Sequence, residues 1–131
     1  MKIYTASKII HAQMWRDLRR EFPSIFFTAH WPDLIALNLE SDKSPLVFRD
    51  AWEQNIADVL EADVLILFHL QGERHEGSFI EVGAALAAGK RVHIISDAID
   101  ELGKWKWHPS ISIWKLSLRD LLRQLLKGEQ S

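Results

Sequence analysis

DVLILFHLQGERHEGSFIEVGAALAAGKRVHIIS, residues 63–96, is the stretch that decides the fold. DVLILFHL, residues 63–70, is a near-continuous apolar run of strand length. Such a run suits a central strand of a parallel sheet, covered on both faces. QGERHEG, residues 71–77, is a polar loop. SFIEVGAALAA, residues 78–88, is a helix of small residues, with Ser78 at its N-cap and Gly89 closing it as the C′ residue. RVHIIS, residues 91–96, is apolar again and predicts another strand. A strand, a crossover helix and a strand make two neighbours that run parallel.

Working back toward the N-terminus, Ile3 to Ala6 predicts a short buried first strand. From Lys8 to Phe22, Met14, Trp15, Leu18 and Phe22 recur at helical spacing, with Arg16, Asp17, Arg19 and Arg20 outside. Pro23 and Ser24 end that helix, and Ile25 to Thr28 is rich in strand formers. His30 to Phe48 is a long connection with two prolines and room for one helical turn. Long connections of this kind are usually functional or disordered. Arg49 to Glu61 predicts a helix that buries Trp52, Ile56, Val59 and Leu60.

Toward the C-terminus, residues 97–110 are irregular. Ile111 to Lys115 predicts an edge strand. Ser117 caps a last helix with Leu118, Leu121, Leu122, Leu125 and Leu126 inward, and the tail GEQS is expected to fray. Strands alternating with helices imply a parallel sheet of four to five strands between two helical layers. This is a flavodoxin-like or Rossmann-like three-layer α/β sandwich, expected as one domain over residues 1–131. Such sheets bind ligands beyond the carboxyl ends of their strands. Three segments lie there: Ala6–Ser7–Lys8, His30–Trp31 and His69 to Ser78.

Composition narrows the function classes. The 131 residues are 47% hydrophobic and 26% charged, with a formal net charge of −2. That balance carries no basic footprint for nucleic acid or for a membrane surface. There is no cysteine, which excludes disulfides and thiolate metal sites and suits a reducing cytosol. The first residues are too interrupted for a signal peptide or a membrane span, so the mature protein is expected to begin at residue 1 and to be cytoplasmic. Six tryptophans are many for this length; core packing explains some, and a pocket wall or a subunit contact is the other reading.

Glu81 is the residue with the most chemistry to offer. Ser78 and Glu81 have the S-x-x-E spacing of a capping box, which is a purely structural role. Against that, Glu81 sits among Phe79, Ile80, Val82, Gly83, Ala84 and Ala85. A desolvated carboxylate next to a strand's carboxyl end is a candidate nucleophile. Gly77 and Ser78 open the helix, and their N–H groups suit an anion or a sugar oxygen.

Three pieces of the chain carry a resemblance: KIYTAS at 2–7, WEQNIADVLEADVLILF at 52–68, and GSFIEVGAALAAGKRVHII at 77–95. In that order they resemble the nucleoside 2-deoxyribosyltransferase family and its small relatives, the deoxynucleoside-monophosphate N-glycosidases. HPSI at 108–111, followed by a helix, is similar to the shorter bacterial and phage members. The resemblance implies that Glu81 attacks C1′ and carries the sugar as an ester. It implies that Tyr4 touches that nucleophile, that Ala6 and Ser7 line the base or sugar side, and that Gly77 and Ser78 meet the 5′ end of the sugar. Asn55 falls where the classical transferases have an aspartate that handles the base, and His75 falls near another such aspartate. Both departures weaken the case for base exchange. Family relatives complete their sites across subunits, so a homodimer or larger homo-oligomer is implied.

The remaining candidates carry two readings each. Lys8 and Arg74 sit at the expected pocket mouth and suit a 5′-phosphate, or are plain solvated charges. Trp31 stacks on a base or packs under the long connection. His69 binds substrate or is a satisfied strand-end histidine, and His11 is a helix-surface or half-buried histidine rather than a catalytic one. Protonation of the leaving base falls to Glu76, His75 or water. The spacing of His69, His75 and Glu76 fits no metal motif, and no cofactor is expected. The expected partner is a small nucleoside or nucleotide, with hydrolysis and transfer both open. Two alternatives remain: a non-catalytic nucleotide sensor of the same fold, and a glycohydrolase acting on NAD.

Overall fold

The structure is a computed structural model that describes residues 1–36 and 45–130. Five parallel strands form one sheet in the order β2-β1-β3-β4-β5. They are β1 (Lys2–Ala6), β2 (Phe26–Phe27), β3 (Val64–His69), β4 (Arg91–Ser96) and β5 (Ile111–Trp114). The helices are α1 (Ala12–Glu21), α2 (Trp31–Ala36), α3 (Pro45–Glu61), α4 (Gly77–Ala87) and α5 (Leu118–Gln130). Three-layer α/β architecture is therefore what the alternating pattern forms. None of the described helices is long and apolar enough to cross a membrane.

Register explains why the central runs are apolar throughout. Tyr4 pairs with Leu65 and Leu65 with Val92; Ala6 pairs with Leu67 and Leu67 with Ile94. These rows point to one face, where Val59 of α3, Ala62 just after it, and Val82 and Ala85 of α4 cover them. Ile3, Ile66 and Ile95 point to the other face, against Trp15 and Leu18 of α1 and Leu118, Leu121 and Leu122 of α5. A strand alternates its side chains, so a strand covered twice must be apolar at every position.

Element boundaries differ from expectation in particular places. β2 is two residues long rather than four, because this edge strand pairs only with β1. The first helix begins as a 3-10 turn at Ile9–His11 before α1. The long connection contains α2 and the first turn of α3; residues 37–44 lie outside the described residues. Leu60, expected inward on α3, is half exposed. α5 continues through residue 130, where a frayed tail was expected. Ser78 is not the N-cap of α4: Gly77 is already helical, Glu76 holds the cap position, and no side chain caps it. At the other end, Gly89 takes φ +77°, the left-handed conformation of a C′ glycine.

The sheet order reverses direction at β1, whose neighbours β2 and β3 lead away to opposite sides. Crevices for ligands open at such a switch point, beyond the carboxyl ends of the strands.

Candidate active site

A cleft of about 560 Å³ lies at this switch point. Ser7, Lys8 and Ile9 after β1 form one wall, and Arg74 to Ser78 before and at the start of α4 form another. Trp31 of α2 and Trp52 and Asn55 of α3 close it, and Glu81 of α4 faces into it.

Glu81 is buried, with 6% of its surface accessible, yet it lines the cleft. Tyr4, wholly buried on β1, donates its hydroxyl to Glu81 Oε2. The carboxylate therefore reaches back to the sheet and is not the reciprocal partner of a capping box. Burial pushes the Glu81 carboxyl up to about 7, the Tyr4 hydroxyl pulls against that rise, and the nearby Asp58 charge adds to it. Burial, then the Glu81 charge, pushes Tyr4 well above the ordinary phenol value, so Tyr4 remains the donor.

The surroundings of this pair are fixed by hydrogen bonds. Ser7 Oγ accepts from the Trp15 indole at 2.8 Å and donates to the Lys8 carbonyl at 2.9 Å. Trp31 donates its indole N–H to the Thr5 carbonyl at 2.8 Å. Asp58, buried beneath, accepts from the His30 N–H at 3.1 Å, from His30 Nδ1 at 2.9 Å and from Gln54 at 2.8 Å. A Cβ at Gly77 would meet the Trp52 ring at 3.4 Å, so the small residue lets this aromatic lie close over the helix entrance. Among the described residues no side chain caps the start of α4, and Gly77 and Ser78 of its first turn line the cleft.

The structure brings together Glu81, Tyr4, Asn55, Ser7, Trp31, His75, Gly77 and Ser78. Two expected residues lie elsewhere. Ala6 is wholly buried in the core, because strand alternation turns it toward α3 and α4. His69 faces β4: its Nδ1 lies 2.7 Å from Ser96 Oγ and its Nε2 lies 3.3 Å from Glu101 Oε1. The satisfied strand-end role fits it. Lys8, Arg74 and Glu76 line the cleft, whereas His11 is tied to Glu73 Oε2 at 2.7 Å. Trp52 also lines the cleft, and Asp58 lies buried near Glu81, adding to the rise of its carboxyl; the sequence singled out neither for the site. Both stand three positions from Asn55 along α3, a spacing that puts them near one face. Among the described residues no cluster of three or more His, Cys, Asp or Glu side chains is disposed to hold a metal ion.

The chain folds like a known N-glycosidase. Its structure is similar to that of the Clostridium botulinum CMP N-glycosidase, BcmB, with a TM-score of 0.60. The two are 18% identical, and the likeness covers 96% of this chain and 99% of the other. At that identity the likeness carries the fold: a five-stranded parallel sheet between helical layers, matched along nearly the whole length of both chains. No protein-family model matches the chain, nor does any curated protein.

Proposed function

We propose that this protein is an enzyme that releases the base from a nucleoside or nucleoside monophosphate by breaking the N-glycosidic bond, with Glu81 as nucleophile. One observation carries it: a buried carboxylate held by a tyrosine hydroxyl at the floor of a cleft at the sheet's switch point. In the proposed reaction a Glu81 oxygen attacks C1′ as the C1′–N bond breaks, through an oxocarbenium-like state. The base leaves with the bonding electrons and takes a proton from Glu76 or solvent. Water then attacks C1′ and gives its proton to Glu76 or solvent, the ester C–O bond breaks, and the Glu81 carboxylate returns. The Tyr4 hydroxyl steers the carboxylate throughout.

The amide of Asn55 cannot supply a proton as a carboxyl does, which favours water over a second base as the acceptor of the sugar. The indoles of Trp31 and Trp52 suit a planar base. Lys8, Arg74 and the first N–H groups of α4 suit one phosphate, and a nucleoside monophosphate is the substrate class named for the Clostridium botulinum protein. The homo-oligomer implied by the resemblance belongs to the same proposal: Ile9 and Ile10 stand exposed beside the cleft, where a second copy of the chain would cover them.

The test is a panel of ribonucleosides, deoxynucleosides, their monophosphates and NAD, with released base separated by chromatography. Release by the wild-type chain and a loss of at least ~10³-fold in Glu81→Ala is the expected result. Binding without release would assign the fold to a sensor, and release from NAD alone would move the substrate to dinucleotides.

A further inference from the structure

Two walls of the cleft spring from neighbouring strands that stop pairing before the walls begin. Ala6 and Leu67 are the last partners of β1 and β3. Beyond them Ser7, Lys8 and Ile9 leave on one side, and the loop that carries Arg74 to Ser78 leaves on the other. Past that pair of residues no ladder between β1 and β3 fixes the separation, so side chains must.

Each wall is first tied to itself. The Lys8 carbonyl accepts the Ser7 hydroxyl at 2.9 Å and the His11 N–H at 3.1 Å. Across the cleft, the Glu73 N–H donates to the Leu70 carbonyl at 3.1 Å, and the Leu70 N–H donates to Glu73 Oε1 at 2.9 Å. The Gln71 N–H donates to Asp97 Oδ1 at 2.7 Å and the Gly72 N–H to Glu101 Oε1 at 2.8 Å. Gly72 takes φ +80° in this turn, a conformation that glycine permits.

Among the described residues one hydrogen bond crosses from the first of these segments to the second. His11 Nε2 lies 2.7 Å from Glu73 Oε2. The two side chains are only 14% and 12% exposed, so water competes little for the contact. Burial pushes the Glu73 carboxyl up, but the Leu70 N–H, then His11, outweigh it and leave it below the ordinary value. An ionised carboxylate only accepts, so His11 Nε2 carries the proton and donates. The His11 ring also meets Phe68 of β3 edge-on at 5.0 Å and 76°. His11 stands three positions after Lys8, and Glu73 directly precedes Arg74. Both cations line the cleft, and neither forms an ion pair among the described residues.

We propose that His11 and Glu73 are positioning residues that staple the two walls together, so that Lys8 and Arg74 meet as one site for a phosphate group. The staple thereby selects a phosphorylated substrate over the matching nucleoside. The phosphate's place on a substrate rests on the proposed glycosidic reaction; the anion site does not. Two cations already held in place lose less freedom when the anion binds.

Titration with inorganic phosphate, read from backbone amide NMR, tests the anion site without turnover. In the wild-type chain the Lys8 and Arg74 amides should shift along one curve. His11→Leu keeps bulk against Phe68 and loses the donor. It should bind phosphate ~10-fold more weakly, the worth of one hydrogen bond to a charged group. His11→Gln keeps an N–H at similar reach and should bind nearly as the wild type does. Glu73→Asp shortens the acceptor arm and should weaken binding in the same direction, which covers the case in which His11→Leu does not fold. Shifts confined to one wall, or binding unchanged in both weakening variants, overturn the proposal. Base release adds a readout that a merely structural contact would not move. With CMP and cytidine, or whichever such pair of the panel the wild type cleaves, His11→Leu should raise KM for the monophosphate by the same ~10-fold while kcat and the nucleoside's KM hold. An equal rise for both substrates overturns the selection and leaves the proposed function standing. If the wild type releases no base from any substrate, the proposed function falls, and the phosphate titration still decides the staple.

Discussion

Helices α4 and α5 cover opposite faces of one sheet and follow different rules. On α5, Leu118, Leu121 and Leu122 are buried, Leu125 and Leu126 half-buried, and Arg119, Asp120, Arg123 and Lys127 stay outside. Every buried side chain described there is apolar. On α4, Val82 and Ala85 are buried in the same way, but Ser78 and Glu81 are buried with them. The α5 face does contain one buried histidine, His93, and that residue is accounted for. It accepts the Trp114 indole N–H at 2.9 Å, and burial lowers it to about 4, so it stays neutral. Glu81 instead opens onto a cleft. Consistency between pattern and packing marks scaffold, and a local breach of it marks a site.

Four measurements bear on this contrast. The largest effect belongs to the scaffold: Leu122→Ala should lose roughly 2–5 kcal/mol in denaturant unfolding, with base release per folded molecule unchanged. Loss of activity in molecules that remain folded would erase the division between the two faces. Second is the pH dependence of stability. The Glu81 carboxyl is raised to about 7 in the fold, so its contribution is full below the unfolded value near 4.5 and is lost as pH rises through 7. Glu81→Gln escapes that loss. Its advantage over wild type should be near zero at pH 4.5 and grow to as much as roughly 3 kcal/mol by pH 8, read from thermal melts across pH. A flat difference would mean that Glu81 is not desolvated.

Third, Tyr4→Phe removes the hydroxyl that holds Glu81 down. The acidic limb of base release should move to higher pH, with a cost of about 1.5–3 kcal/mol typical of a hydrogen bond to a charged group. A limb that stays in place would detach Tyr4 from the ionisation of Glu81. The smallest effect is at the start of α5, where Ser117 Oγ accepts the Asp120 N–H at 3.1 Å. Ser117→Ala should cost about 1 kcal/mol in unfolding and nothing in activity.

Much of this contrast is legible from the chain alone. The unit from residue 63 to 96 reads correctly as strand, helix and strand because both strands are apolar on two faces, and β4 has the expected bounds. Glu81 stands out because a carboxylate interrupts a small, apolar helix. Other parts depend on contacts that spacing does not encode. The Ser78–Glu81 spacing suggests a cap, and only Tyr4, 77 positions away, shows where the carboxylate goes. The end of a strand tells where ligands gather but not which way its last side chain turns. Ala6 turns into the core and His69 toward Ser96 of β4. Trp52 reads as core because a helix facing both a sheet and a cleft has two stripes, and an aromatic suits either. Asp58 escapes notice because its partner His30 lies on another segment, 28 positions away.

The early end of β2 has one more consequence. The Thr28 N–H donates to the Ile3 carbonyl at 2.9 Å, and by the same ladder the His30 N–H would donate to Thr5. His30 turns to Asp58 instead, and the indole of Trp31 satisfies the Thr5 carbonyl in its place. An aromatic side chain thus completes the row of backbone bonds at the rim of the sheet. The bond to β1 holds this ring in one orientation, so if the proposed site takes a planar base there, the surface it meets is ordered in advance.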